Sequence, residues 1–309
     1  MTLPLEDYLD ELGRLEEPLI TSKLADLSAL SAEEFELFWR AWPRIAAERR
    51  WQIVNRLVDL AEDNFELDFD DIFQACLFDD DAEVRARAID GLWECEDRSL
   101  IAPLVHLLRK DGEMRVRAAA AKALGCFAML AEYGRLLTRD VAKVDSSLLA
   151  TIDDEAEDIE VRRRAIEAIS PRNLPQVKAI IRQAYQGDDS RLRISAVFAM
   201  GRNCDPAWLP ELLDELSSAD PEMRYEAARA CGELGDERAV PQLMELVGDH
   251  DAEVIRVAIE ALGRIGGNTA KQELEECLHC DDELIRQAAQ EALEEVEFEE
   301  GPLSFGISS

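Results

Sequence analysis

The sequence is poor in the groups that carry chemistry. Only three of its 309 residues are histidine, aromatic side chains make up 6%, and 34 basic residues face 67 acidic ones. His106, His250 and His279 stand far apart, and no phosphate-cradling glycine loop appears, since Gly263, Gly266 and Gly267 follow a helical stretch and read as its stop. No run approaches the roughly 20 apolar residues of a membrane helix. The acidic start MTLPLEDYLDELGRL lacks the basic and apolar regions of a targeting peptide. A formal charge of -33 repels phosphate backbones and anionic lipid. The seven cysteines, an odd number placed mostly on apolar helical positions, read as reduced thiols. These absences predict a cytoplasmic protein with no catalytic residue, no cofactor, no metal, and neither nucleic acid nor membrane as partner.

What is present is a repeat. Aliphatic anchors at Val84, Val116, Val161, Leu192, Met223, Val254 and Leu284 are spaced by 32, 45, 31, 31, 31 and 30 residues. Each is followed four positions later by alanine: Ala88, Ala120, Ala165, Ala196, Ala227, Ala258 and Ala288. In the stretch from Asp220 to Gly235, Asp220 is placed to cap a helix, Met223, Ala227, Ala230 and Leu234 share one face, and Gly235 ends it. A helix opened by Trp208, Leu209 and Pro210 precedes it. One such pair cannot bury its apolar face alone, so the period predicts an all-α fold, an armadillo-like α-solenoid of stacked helix pairs. The division expected is a helical cap over residues 1–65, seven repeats over 66–298 with an insertion near 126–158, and a disordered tail over 299–309. The insertion reads as a longer first helix followed by a loop.

An arginine follows most anchors: Arg85, Arg117, Arg162, Arg193 and Arg224. With acidic residues three before the anchor (Asp81, Glu113, Asp158, Asp189, Asp220), they predict a ladder of ion pairs between successive units. Ile255 and Ile285 replace arginine in the last two units. Cys277 and Cys280 have a CxxC spacing around His279, but no second pair completes a four-ligand site, and Cys277 fits the apolar stripe of a helix.

The repeats resemble the short HEAT-like repeats of the phycobilisome-lyase type, above all over Glu237 to Gly267, and the layout is similar to that of bacterial HEAT-repeat proteins. The resemblance implies an α-solenoid whose second helices line a concave groove. It also brings in bilin lyase subunits and deoxyhypusine hydroxylase, but the hydroxylase's iron-binding His-Glu pairs are missing here. Placed on that groove, Arg163, Arg164, Ile194, Phe198, Arg202, Tyr225, Arg229, Arg256 and Arg264 form an aromatic and aliphatic patch rimmed by arginine, the composition of a protein-binding hot spot. The function expected is a non-catalytic scaffold or adaptor that holds an acidic or phosphorylated segment of a partner protein, with a basic partner on the acidic outer face. The alternatives are a chromophore-lyase-like subunit and a self-assembling structural protein.

Overall fold

A computed structural model describes residues 5–300, and side chains over 8–296. The chain divides into two compact units, Met1–Ala168 and Ile169–Ser309. Among the described residues there is no strand. The first unit holds α1 (Leu5–Leu12), α2 (Thr21–Ala25), α3 (Ala32–Ala41), α4 (Ala47–Asp63), α5 (Asp70–Cys76), α6 (Ala82–Gly91), α7 (Ile101–Lys110), α8 (Met114–Glu132) and α9 (Thr138–Asp153), with α10 (Ile159–Ile169) at its end. The second holds α11 (Pro175–Gln186), α12 (Ser190–Asn203), α13 (Leu209–Glu215), α14 (Pro221–Leu234), α15 (Val240–Leu246), α16 (Ala252–Ile265), α17 (Gly267–Cys277) and α18 (Glu283–Glu300). Even-numbered helices from α4 pack side by side as one layer in each unit, backed by the odd-numbered ones, so the fold is the expected α-solenoid.

Two local devices make the layers. Aspartates Asp81, Asp189, Asp220 and Asp251 each stand just before an even-numbered helix and accept backbone N–H bonds from its first turn, satisfying donors that the helix cannot satisfy itself. Nine residues after the anchor comes glycine: Gly125, Gly201, Gly232 and Gly263. A Cβ at Gly201 would lie 2.7 Å from Ala230 Cα, and one at Gly232 2.8 Å from Ala261 Cα. Helix backbones therefore touch where glycine faces alanine, and the layer closes without a side chain between them.

The ladder exists, but its carboxylates are not the expected ones. Asp81, Asp158, Asp189 and Asp220 instead accept first-turn N–H bonds on Oδ1, each at the start of the helix that carries its arginine. Glu113 carries no side-chain cap bond. Arg85 instead grips Asp111 with Nε and Nη2 at 2.8 and 2.9 Å, while its Nη1 donates to the Asp79 carbonyl at 2.8 Å. Arg117 repeats this with Glu157 and the Asp111 carbonyl, and Arg224 with Asp249 and the Ser218 carbonyl. One guanidinium thus closes the turn of its own pair and binds the turn of the next. Arg193 meets Glu215, which also accepts the Tyr185 hydroxyl at 2.8 Å. Arg162 donates to the Ile152 carbonyl.

Three sequence expectations change. The last anchor is Ile285, which is buried, whereas Leu284 is exposed; this restores a 31-residue interval from Val254. Arg286 then takes the ladder position, and its Nη1 donates to the Cys280 carbonyl just as its counterparts do. The expected cap contains a helix pair wired like a repeat: on α4, Arg50 donates to the Ile45 carbonyl and to Asp79, and Asp79 also accepts the Trp42 indole N–H at 2.7 Å. Arg49 stands where an aliphatic anchor would, which hides the unit from a hydrophobic pattern. The insertion holds the expected longer first helix, α9 at 16 residues, with short connections over 133–137 and 154–158, but part of it instead lengthens α8, the second helix of the preceding pair, to 19 residues. Of the expected tail, α18 includes 299 and 300, and 301–309 lie outside the described residues.

Two outcomes follow from this packing. Gly232→Ala places a methyl against backbone, so despite a helix-propensity gain it is expected to destabilise by about 1–3 kcal/mol in urea denaturation, whereas Gly112→Ala, with open space around it, is neutral. Arg224 holds the Asp249 carboxyl below its ordinary range, so this rung's stabilisation is complete above the unfolded pKa of about 3.9 and is lost as pH falls further. Arg224→Ala is accordingly expected to cost about 2–3 kcal/mol at about pH 7 and much less at about pH 3. Equal losses at both would assign the effect to the Ser218 carbonyl.

Candidate functional site

The even-helix layer of the first unit is interrupted at the end of α6. Helices α12, α14 and α16 each run 14 residues, but α6 stops after 10, at Gly91. Gly91 sits against the Phe73 ring, 2.7 Å from where a Cβ would be, and the chain then turns through Leu92 with Cys95 N–H on its carbonyl. Trp93 occupies the ninth position after the anchor, where four other units have glycine. Off the helix, Trp93 stands 57% exposed.

Beside it lies a notch of about 470 Å³ between the end of α6 and α8. Ile89, Trp93, Ala119 and Ala123 supply apolar wall, Cys126 closes one side, and Glu62, Arg87, Asp90 and Lys122 form the rim. Arg87 is tied to α4 through Asn55 and Asp59, both at 2.9 Å. Burial pushes the Asp90 carboxyl above its ordinary range against the pull of Lys122 and Arg87. Burial also raises the Cys126 thiol, which holds it in the un-ionised form at neutral pH. Tyr133 lies seven residues beyond Cys126, at the C-terminal cap of α8. Tyr133 and Leu137 are exposed at the end of this extension, and Arg135 pins it to the Trp93 loop through Glu96 at 2.9 Å.

The residues expected from sequence to form the patch behave differently. In the first unit, Arg163 and Arg164 are both held by Glu160 and Glu167. In the second, Ile194 is buried inside the layer, which corrects its expected exposure. Phe198 is half-covered by the Arg229 guanidinium, 4.2 Å from the ring centroid, and Arg229 is clamped by Glu226 and Glu233 at 2.9 Å each. Arg256 is paired with Glu253 and Glu260, Arg202 and Tyr225 are half-buried, and Arg264 is exposed. Helical spacing three and four apart lets each acidic residue neutralise its neighbour, so the arginine rim is largely self-satisfied. The notch was missed because Trp93 falls outside a helix and so outside the periodic reading; its sequence signal is tryptophan in a glycine position.

Among the described residues, no group of three His, Cys, Asp or Glu side chains is disposed to hold a metal ion, and no helix is long and apolar enough to cross a membrane. Cys277 is buried in α17 and Cys280 follows it in the turn, each a free thiol.

No curated protein matches the chain in sequence. Solved structures share its fold. The complex of CpcE and CpcF of phycocyanin lyase from Nostoc has a TM-score of 0.55 at 16% identity over 91% of this chain and 96% of that one. Yeast importin-β (Kap95p) gives 0.52 at 14% over 94% of this chain and 46% of importin, and a complex of Kap95 with Nup1 gives 0.51 at 15% over 97% and 47%. This chain therefore spans about half the length of the importin. The family profile of HEAT repeats matches residues 69–142 and 209–294, just over half of the sequence. With the repeated helix pairs and their arginine rungs, this match establishes that the chain belongs to the HEAT-repeat family.

Proposed function

We propose that this protein is a non-catalytic interaction scaffold that holds a segment of a partner protein on the α4–α6–α8 face, with an apolar side chain of that segment seated beside Trp93. The observation that carries this reading is a tryptophan expelled from a helix interface and left exposed over a notch. A rigid aromatic anchor with a partly desolvated charged rim is the composition of an interface hot spot. The family supports it: importin of the same fold is found in complex with Nup1, and CpcE with CpcF. A non-catalytic role is supported by the thiols, since burial raises Cys76, Cys95, Cys126, Cys204, Cys231 and Cys277 alike and disfavours the nucleophilic thiolate.

The expected site around Phe198 and Tyr225 is a weaker candidate. An acidic or phosphorylated segment there competes with Glu226 and Glu233 for Arg229, and so do the propionates of a bilin.

Affinity capture from native extract, comparing wild type with Trp93→Ala and with Phe198→Ala, tests the reading. A partner retained by Phe198→Ala and weakened by Trp93→Ala, by about 2 kcal/mol or more, is the expected result. Retention by Trp93→Ala with loss from Phe198→Ala would move the site to the second unit.

A further inference from the structure

The acidic excess of the chain reverses locally at one hollow on the odd-helix side of the first unit. There α7 and α9 enclose a hollow of about 360 Å³, floored by Ala102 and Val105 and lined by His106, Arg109, Lys110 and Lys143. On α7, residues 102, 106, 109 and 110 fall on one face because they are four and three or four apart. Lys143 reaches the same hollow from α9, and all four polar side chains belong to exposed residues.

These cations have no carboxylate. Most arginines of this protein are held by an aspartate or glutamate, but Arg109, Lys110 and Lys143 meet none among the described residues. Of the acidic residues nearest in the chain, Asp111 is held by Arg85, Asp140 by Arg98 and Arg139, and Asp145 has an interaction of its own, while Glu113 in the turn after α7 forms no ion pair with these cations. In a chain of net charge -33, three cations on one hollow repel one another with no ion pair to offset them. The arrangement suits an anionic group supplied from outside.

We propose that the α7–α9 hollow binds a short acidic segment of a partner protein, with its carboxylates or phosphoserine oxygens received by Arg109, Lys110 and Lys143 and by the ring N–H of His106. Size separates a peptide from a nucleic acid. The cationic face extends about 6 Å along α7, from His106 to Lys110, less than the ~8 Å Debye length at physiological salt. A nucleic acid strand continues past it into the acidic surround and is repelled there, whereas a short peptide turns away after one contact. This inference is independent of the Trp93 reading, since the two sites lie on different helix layers.

Fluorescence anisotropy with short labelled peptides tests it, one rich in glutamate and one carrying phosphoserine, against a neutral peptide and a single-stranded oligonucleotide. Either anionic peptide is expected to bind more tightly than the neutral one, with affinity falling as salt rises, and the pair distinguishes carboxylate from phosphate as the preferred group. The double variant Arg109→Glu, Lys143→Glu is expected to weaken binding at least about tenfold, and Trp93→Ala to leave it unchanged. Both charge-reversed side chains are exposed and unpaired, so the unfolding midpoint should stay put, which separates lost binding from lost fold. Peptide binding indifferent to the double variant, no preference for an anionic peptide, or tighter binding of the oligonucleotide would each overturn the proposal.

Discussion

The arginine fork between successive turns is the interaction on which the rest of the stack depends. Each helix pair is too thin to bury its own apolar face, so its stability comes from the neighbour, and the neighbour must arrive in register. The fork supplies that register: in Arg85, Arg117 and Arg224 one guanidinium nitrogen closes a carbonyl left open at the turn of its own pair, and the other two grip a carboxylate of the next. The carboxylates on the outer rungs are themselves oriented by a backbone N–H two residues on, as at Asp111 and Asp249. Because the geometry is planar and bidentate, lysine cannot replace it.

With register set, glycine against alanine brings even helices together, and the place where tryptophan stands instead of glycine is informative. Trp93 cannot occupy that contact, so α6 ends early and the layer opens beside it. The lengthening of α8 and α9 then places Tyr133 and Leu137 beyond the opening. A repeat protein builds its binding features by local breach of the rule that stabilises its other units, since identical units offer identical surfaces.

Charge is managed at two ranges. Within helices, arginines pair with glutamates three or four residues away, and the cations of the second unit's layer are mostly neutralised this way. Between helices no such rule operates, and α7 and α9 bring together cations that helical spacing leaves unpaired. The strong overall negative charge therefore conceals a surface whose local sign varies from layer to layer.

The α-solenoid, its period and the capping aspartates were legible in the sequence, because helical spacing, a fixed repeat and N-cap preference are properties of neighbours along the chain. The arginines were legible as a ladder, but their partners were not: Asp111, Glu157 and Asp249 are reached across 25 to 40 residues, a separation that no local spacing records. Helix rotation was also hidden, so Ile194 was placed outside when it is inside, and Leu284 was taken for the anchor that Ile285 provides. The repeat formed by α3 and α4 escaped a hydrophobic pattern because Arg49 fills its anchor position. Sequence alone determined which helices form and that they stack. Tertiary structure decided which side chains face the neighbour and which are left to face something else, because that depends on contacts between residues a whole repeat apart.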